Sequence, residues 1–202
     1  MLKNDGQVLP NPQISGWGYL FDNGASGFDF GRDAVVAAKN EYNGTGKKTL
    51  ITQMLEAKFK RNVFDALKEI YDGGTKVVAS LAPVVFDAYK LGDEVAEEII
   101  DNQVQNVANM VNYGHKIIGR EKETVVGLCG GIFSHEFEIL EGKLRARIDK
   151  NLVLTLPRES QIYGALMEAA KKAGAKPDSA FLKNYTATVN TPLLEQIGNE
   201  KI

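Results

Sequence analysis

The scarcity of certain residues in this 202-residue sequence excludes several classes of protein. With one cysteine the chain cannot form an internal disulfide, and we expect a reducing, cytoplasmic location. Two scattered histidines and that cysteine do not make a metal site. A formal net charge of −2 offers no basic surface to nucleic acid. No apolar run approaches the roughly 18 residues of a membrane span, and the first residues lack the apolar region of a signal peptide.

The rest of the composition is typical of a globular protein, with one exception. Hydrophobic residues make up 44% and charged residues 25% of the chain. This length accommodates one large domain or two small ones. The exception is glycine, with 20 residues, about one in ten against a usual share of roughly 7%. Many of these glycines concentrate in two clusters, at residues 16–31 and 127–131.

The first glycine cluster suggests a small-molecule site. It contains the single tryptophan, Trp17, between two glycines, and the polar pair Asp22-Asn23 follows. Glycines let a backbone approach a ligand closely, and an indole ring offers it a flat apolar face. A lone tryptophan is more often a core residue than part of a ligand site. Because glycines flank Trp17 and Asp22-Asn23 follows, we weigh the two interpretations, core residue and ligand-binding residue, equally.

Local signals divide the first half of the chain. Residues 3–8 are predicted to form an edge strand and residues 14–21 a second strand. Ser26 and Asp29 fit a capping box that begins a helix extending to residue 42. Apolar residues every four positions predict one amphipathic helix over residues 50–71, broken by the glycines at 73 and 74.

The second half alternates strands and helices. Pro83 is placed to begin one helix and Asp93 to cap the longest, which ends near residue 118. A predicted buried strand at 124–128 is followed by a helix from residue 134, and a predicted strand at 151–156 is followed by a helix over 160–173. This order favours an α/β domain whose sheet is parallel at that end.

The second glycine cluster follows the first of these strands. Ligands bind beyond the carboxyl ends of strands in open α/β sheets, so Gly130 and Gly131 could support a nucleotide. A purely structural turn is the alternative, and neither the dinucleotide nor the P-loop fingerprint is present. Cys129, at the strand end, is predicted to be a small buried hydrophobe.

The order of the two clusters resembles the C-terminal half of N-acetylglucosamine kinases, within the BadF/BadG/BcrA/BcrD-type ATPase family. The resemblance covers residues 3–174. It implies a ribonuclease H-like, actin-like ATPase fold, with a mixed sheet flanked by helices and lacking its first strand. Its blocks are Gly16-Trp17-Gly18-Tyr19-Leu20 through Ser26-Gly27, then Ala79-Ser80-Leu81-Ala82-Pro83 with Gly92-Asp93, and finally residues 125–133 with Pro157 and Gly164-Ala165.

The resemblance also implies roles for particular residues. The sugar-facing positions would be Gly16, Trp17, Asp22 and Asn23, and Asn23 stands where the family has an acid. A carboxylate accepts strong hydrogen bonds from sugar hydroxyls, whereas an amide accepts more weakly and also donates. The ATP-binding positions would be Ala79, Gly130 and Gly131. No catalytic or metal-binding residue is assigned.

By this resemblance residues 1–178 are a C-terminal kinase domain and residues 179–202 a tail. The resemblance implies that the family's first phosphate motif and catalytic aspartate lie in an N-terminal domain that we do not find in this sequence, and that its second phosphate motif, Gly-Thr-Gly-Ser, would stand immediately before Met1. We therefore expect transfer of the ATP γ-phosphate to an amino sugar or another small sugar, with Mg²⁺, only when an N-terminal domain completes the site. The alternatives are a non-catalytic sugar- or nucleotide-binding module, and a homodimer formed through an exposed sheet edge.

Overall fold

The computed structural model describes residues 14–118, 123–157 and 161–189, together with the backbone of residues 3–4 and 7–8. The chain divides into two compact units, Met1–Leu156 and Pro157–Ile202. Helices dominate the described residues of both units. None of the described helices has the length and apolar character needed to cross a membrane.

The first unit contains most of the secondary structure. Its described strands are β1 (Lys3–Asn4), β2 (Gln7–Val8), β3 (Thr124–Gly127) and β4 (Leu152–Thr155). Its described helices are α1 (Gly27–Tyr42), α2 (Leu50–Phe59), α3 (Val63–Ala79), α4 (Ala82–Lys90), α5 (Glu94–Ile118), α6 (Gly131–His135) and α7 (Phe137–Arg145).

Helix α1 is central to the core of this unit, and its small residues let its neighbours approach closely. Ala34 and Ala38 are fully buried, and α1 packs against α2, α3, α4 and α5. The ring centroids of Phe30 and Phe86 lie 4.8 Å apart, so these two side chains pack α1 against α4. At Gly31 a Cβ atom would lie 1.8 Å from the carbonyl oxygen of Val78, so α3 touches the α1 backbone there.

Three predicted helix starts are confirmed, and the predicted start at residue 134 is wrong because the chain enters α6 at Gly131, directly after Gly130, and α7 begins at Phe137. Ser26 and Asp29 form the complete capping box at the start of α1. Pro83 lies in the first turn of α4. Asp93 caps α5, since its Oδ1 accepts from the backbone N–H of Ala96 at 2.8 Å, and its Oδ2 accepts from Leu50 N–H at 2.7 Å. One carboxylate thus joins the starts of α5 and α2.

The prediction of one helix over residues 50–71 is wrong. Helix α2 ends at Phe59, and Lys60 takes a left-handed conformation with φ of 55°. Asn62 then caps α3, accepting from the N–H of Asp65 at 2.9 Å. The apolar spacing continues across the break because both helices bury the same kind of face, so periodicity alone did not locate it. Gly74 interrupts α3 at the predicted place, as a kink.

The predicted strands are partly confirmed. Strands β3 and β4 pair in parallel, with Thr124 opposite Leu152, as the alternation of strands and helices predicted. Strand β3 is only half-buried, contrary to the prediction, because every second residue faces outward. Residues 3–8 contain the short antiparallel strands β1 and β2 rather than one strand. In the described residues these pairs are separate, and the expected larger mixed sheet is not seen among them.

The second unit contains the described helices α8 (Gln161–Lys172) and α9 (Ser179–Val189). Tyr163 joins them, with its ring centroid 5.0 Å from that of Tyr185 and 6.2 Å from that of Phe181. Residues 190–202, the rest of the predicted tail, lie outside the described residues. No residue of α8 is fully buried.

Candidate functional site

The carboxylate of Asp22 closes the loop that carries Trp17. Its Oδ2 accepts from the backbone N–H groups of Gly16 at 2.8 Å, Trp17 at 2.7 Å and Gly18 at 3.2 Å. The carbonyl of Gly18 accepts from the N–H groups of Phe21 and Asp22 in return. The predicted strand over residues 14–21 is therefore wrong: these backbone groups are used within the loop, not in a sheet ladder.

The two glycines beside Trp17 are required by this loop. Gly16 has φ of 99° and Gly18 has φ of 89°, values that other residues rarely adopt. With both flanking residues in this conformation, three successive N–H groups converge on one oxygen atom. Hydrogen bonds to an ionised acceptor are stronger than neutral ones, so Asp22 fixes the backbone of Trp17.

Trp17 is a surface residue. Its exposed fraction is 68%, and those of Leu20 and Phe21 are 69% and 80%. The interpretation of Trp17 as a core residue is therefore wrong. A large apolar ring on a fixed backbone can stack on a ligand or pack against another protein surface.

Asn23 is held by Arg32, which sequence reasoning did not identify. The guanidinium donates from Nη2 to Asn23 Oδ1 at 3.1 Å and from Nη1 to Asp29 Oδ1 at 3.1 Å. Its Nε donates to Asp33 Oδ1 at 3.0 Å. Arg32 lies one turn into α1, so the helix that the capping box begins also positions this side chain.

A network of buried polar side chains holds Arg32 and the loop around Asn23 in place. Asp29 is 3% exposed, and its Oδ2 accepts from Ser26 Oγ at 2.7 Å and from the N–H of Gly24 at 3.2 Å. Gln103 of α5 donates to Asp33 Oδ2 at 2.6 Å and accepts from the N–H of Ala25 at 3.1 Å. A glutamine in the apolar stripe of α5 was the sequence signal for this network, because a buried amide requires partners.

Asn23, Arg32 and Asp33 also line one end of an open groove of about 540 Å³. Helices α1 and α5 form its walls, and the other polar lining residues are Asn40, Glu98, Asn102, Gln103, Gln105 and Asn106. Side-chain amides both donate and accept hydrogen bonds, which matches the hydroxyl and carbonyl groups of a polar ligand. The groove therefore extends the polar surface that begins at Asn23.

The three carboxylates around this loop, of Asp22, Asp29 and Asp33, all accept hydrogen bonds from other groups of the protein. Asp22 accepts three backbone hydrogen bonds, Asp29 caps α1 and pairs with Arg32, and Asp33 is bound by Arg32 and Gln103. A general base has to be free to take a proton from its substrate. The arrangement is suited to binding a ligand.

The second glycine cluster is a more open turn. Gly130, with φ of 99°, leads from β3 into α6, and Ser134 Oγ donates to its carbonyl at 3.0 Å. A Cβ atom on Gly131 would meet nothing within 4 Å. Cys129 is exposed, so its predicted burial is wrong: Leu128 takes the inward position and the next residue faces outward.

Ala79 lies with the first cluster. It is half-buried at the end of α3, and a Cβ atom on Gly27 would be 3.4 Å from its carbonyl oxygen. Gly130 and Gly131 lie on the β3–α6 turn, and no hydrogen bond between described residues joins that turn to the first cluster. Among the described residues, no three His, Cys, Asp or Glu side chains are grouped to hold a metal ion.

Comparison with known proteins supports the sequence analysis. No protein-family model matches the chain. It is 28% identical over 124 residues to an N-acetylmuramic acid/N-acetylglucosamine kinase of Clostridium acetobutylicum. It is 30% identical over 112 residues to an N-acetyl-D-glucosamine kinase of Dictyostelium discoideum. The resemblance to N-acetylglucosamine kinases is thus confirmed.

Both matches are partial. The first covers 59% of this chain and 40% of the relative, and the second covers 54% and 35%. The matched region thus spans well under half the length of either relative.

Proposed function

We propose that this chain contributes the sugar-facing and nucleotide-facing surfaces of an ATP-dependent sugar kinase of the N-acetylglucosamine kinase type. In this proposal it is the C-terminal domain of an actin-like ATPase fold in the cytoplasm. The similarity to two sugar kinases supports the reaction class. The similarity covers only part of each relative, and in this proposal the remaining part of the catalytic site comes from an N-terminal domain, as the family resemblance implies.

The exposed indole of Trp17 is the observation that carries this proposal. A tryptophan with a purely structural role is normally buried, whereas this ring is 68% exposed on a backbone fixed by Asp22. The amide of Asn23 follows directly in the chain, and together they offer an apolar face and a polar group. A sugar ring likewise combines an apolar face with polar hydroxyl groups, so it matches both side chains.

The nucleotide surface is proposed at Gly130 and Gly131. Open space above Gly131 would let a planar base lie against the backbone. ATP would supply the transferred phosphoryl group, and Mg²⁺ would accompany its phosphates.

Measurement of sugar binding and of phosphorylation tests the proposal separately. Trp17 is the single tryptophan of the chain, so its fluorescence reports ligands at this loop directly. We expect N-acetylglucosamine to change this fluorescence and Trp17→Ala to weaken binding about tenfold by calorimetry. Tyr113→Ala is the control, because Tyr113 is also an exposed aromatic residue but lies on α5. Equal affinities in both variants would remove the sugar role of Trp17.

The activity measurement needs a complementary domain. We expect the chain alone to give negligible phosphorylation of N-acetylglucosamine by ATP and Mg²⁺. Addition of the N-terminal part of the Clostridium relative should produce sugar phosphate, detected by mass spectrometry. Robust turnover by the chain alone would contradict the proposed division of the site.

A non-catalytic sugar-binding module is the second candidate. It is favoured because the carboxylates of Asp22, Asp29 and Asp33 already take part in hydrogen bonds within the protein. The loop can then bind a sugar but offers no free carboxylate to take a proton from it. It predicts sugar binding by calorimetry and no sugar phosphate with any complementing domain. The two candidates therefore differ in the second measurement alone.

A further inference from the structure

A second groove, of about 740 Å³, lies between α1 and α3 on the surface of the first unit. One face of each helix forms its walls, over residues 28–42 and 63–78, and Tyr19 and Leu20 complete the lining. Most of the lining side chains are aliphatic or aromatic. This volume and this lining are typical of sites that bind small molecules. We call it the apolar groove.

The packing of the two helices sets the length of the apolar groove. Gly31, near the start of α1, touches Val78, near the end of α3. Tyr42, at the end of α1, stacks on Phe64, at the start of α3, with the ring centroids 5.7 Å apart. The helices therefore run in opposite directions along the whole groove. From Phe28 to Tyr42 the helix rises about 21 Å, so the groove suits an elongated ligand.

The aromatic side chains of the apolar groove are largely uncovered. Phe64 and Tyr71 are 60% and 80% exposed, and Tyr19 and Tyr42 are each more than half exposed. Contiguous exposed apolar side chains mark binding surfaces in soluble proteins. A ligand that covers these rings would remove apolar area from water, which is favourable.

The charges at the apolar groove indicate what the head group of such a ligand would be. The lining contains two cations, Arg32 and Lys39, and no Asp or Glu, although the chain has 26 acidic residues. Arg32 is already paired with Asp29 and Asp33. Lys39 is exposed, and no hydrogen bond or ion pair between described residues includes its ammonium group. The groove thus offers one unpaired cation to an anionic ligand.

We propose that the apolar groove binds a fatty carboxylate, with the acyl chain between α1 and α3 and the carboxylate at Lys39. The flexible stem of a lysine can lie along apolar surface while its ammonium group meets the carboxylate in water. Lys39 lies one turn before Tyr42, so the acyl chain runs from that end of the groove towards Tyr19 and Leu20. This site goes beyond the proposed kinase function, because it involves neither sugar nor nucleotide.

Calorimetry of the full chain with decanoate and decanol tests the role of the charge. The two probes share one chain length and differ in the head group. We expect decanoate to bind one-to-one and about 2- to 5-fold more tightly than decanol, as one exposed ion pair would give. Lys39→Gln should abolish this difference. Lys48→Gln should keep it, because Lys48 is also an exposed lysine but does not line the groove.

Removal of the aromatic walls tests the position of the acyl chain. Phe64→Ala and Tyr71→Ala should each weaken binding of both probes by about 3- to 10-fold, because each ring covers part of the chain. Both side chains are exposed, so these variants should fold, which circular dichroism checks. Tyr113→Ala, at an exposed aromatic residue of α5, should leave both affinities unchanged. Octanoate should bind more weakly than decanoate, by up to about fourfold for each CH₂ group removed.

Several results would overturn the proposal. Absence of decanoate binding removes the site, and a preference for decanoate that survives Lys39→Gln removes the carboxylate from Lys39. Unchanged affinities in both Phe64→Ala and Tyr71→Ala place the acyl chain elsewhere. A chain that sediments as a dimer, and as a monomer after Phe64→Ala, shows that a second copy covers the groove instead. None of these measurements depends on sugar binding or phosphorylation, so failure of the proposed kinase function leaves the site standing.

Discussion

The loop at residues 16–27 is held by buried polar side chains, whereas the turn at Gly130 and Gly131 leads into a five-residue helix with no buried residue. In the loop, Asp22 binds three N–H groups, and the network of Asp29 and Gln103 supports the segment that follows. In the turn, Ser134 and His135 bind carbonyl oxygens one helical turn back.

This difference separates a preorganised surface from an adaptable one. A ligand that binds the loop meets groups already in place and loses little conformational entropy on their account. A ligand at the turn meets an exposed backbone whose side-chain hydrogen bonds come only from Ser134 and His135. We therefore expect specificity to come from the loop, and five substitutions test this contrast in decreasing order of effect.

The largest effect is expected at the packing surface behind the loop. Gly31→Ala would place a Cβ atom 1.8 Å from the carbonyl oxygen of Val78, so α1 and α3 would have to separate. We expect a loss of about 3 kcal/mol in the free energy of unfolding. The matched variant Gly131→Ala meets open space and should change it by less than about 0.5 kcal/mol.

Urea unfolding followed by circular dichroism measures both variants. Equal stabilities for Gly31→Ala and Gly131→Ala would show that α1 and α3 do not pack as closely as described.

Removal of the buried carboxylate should have the second largest effect. Asp29→Ala removes the acceptor for Ser26 and Gly24 and takes from Arg32 one of its three hydrogen-bond partners. We expect a loss of about 2–3 kcal/mol, combining the helix cap with the unsatisfied donors. Ser134→Ala at the second turn removes one exposed hydrogen bond and should cost under about 0.5 kcal/mol. Thermal unfolding compares the two, and similar losses would contradict a buried network.

Loosening of the loop itself should lower the free energy of unfolding by less than the loss of Asp29 does, and should weaken ligand binding by more. Asp22→Ala frees three backbone N–H groups, which water can solvate because the loop is exposed. We expect a loss of about 1 kcal/mol in stability and faster depolarisation of Trp17 fluorescence. Unchanged fluorescence anisotropy in a folded Asp22→Ala variant would show that Asp22 does not fix the tryptophan.

A small gain is expected at Ala25. This residue has φ of 58°, a left-handed conformation that disfavours any residue with a Cβ atom. Ala25→Gly should therefore raise the free energy of unfolding by about 0.5–1 kcal/mol. Urea midpoints report the change, and a decrease would mean that the buried methyl group contributes more than the strain removes.

The smallest effect on stability is expected at Cys129. Its side chain is exposed beside the second turn, so Cys129→Ser should change the free energy of unfolding by less than about 0.5 kcal/mol. The thiol of the native protein should react with an aromatic disulfide reagent without denaturant. Reaction only after unfolding would place Cys129 inside the fold and contradict the openness of this turn.

The parts of the fold that depend on neighbouring residues could be predicted from the sequence. The capping box of Ser26 and Asp29 and the cap at Asp93 involve side chains and N–H groups within three residues of each other. Parallel pairing of β3 and β4 followed from the order of strands and helices. The break at Lys60 was missed although Asn62 and Asp65 form a cap of the same spacing, because the apolar spacing that continues across the break indicated one helix.

The candidate site was predicted as a set of residues and not as a geometry. Gly16, Trp17, Asp22 and Asn23 were identified, but Arg32, Asp33 and Gln103 were not. Gln103 lies 78 positions from Ala25, whose N–H it accepts. Pattern reasoning sees a buried glutamine and cannot find its partner.

The sequence by itself determined the helix starts signalled by Ser26, Pro83 and Asp93, the two glycine clusters and the resemblance to sugar kinases, because these depend on residue identity and short spacing. Only the tertiary structure decided which way each polar group faces. It turned the Asp22 carboxylate back onto its own loop and exposed Trp17, and it set the Asn23 amide against Arg32. The physical reason is that a hydrogen-bond partner is chosen by position in space, and the packing of α1 against α3 and α5 brings those positions together.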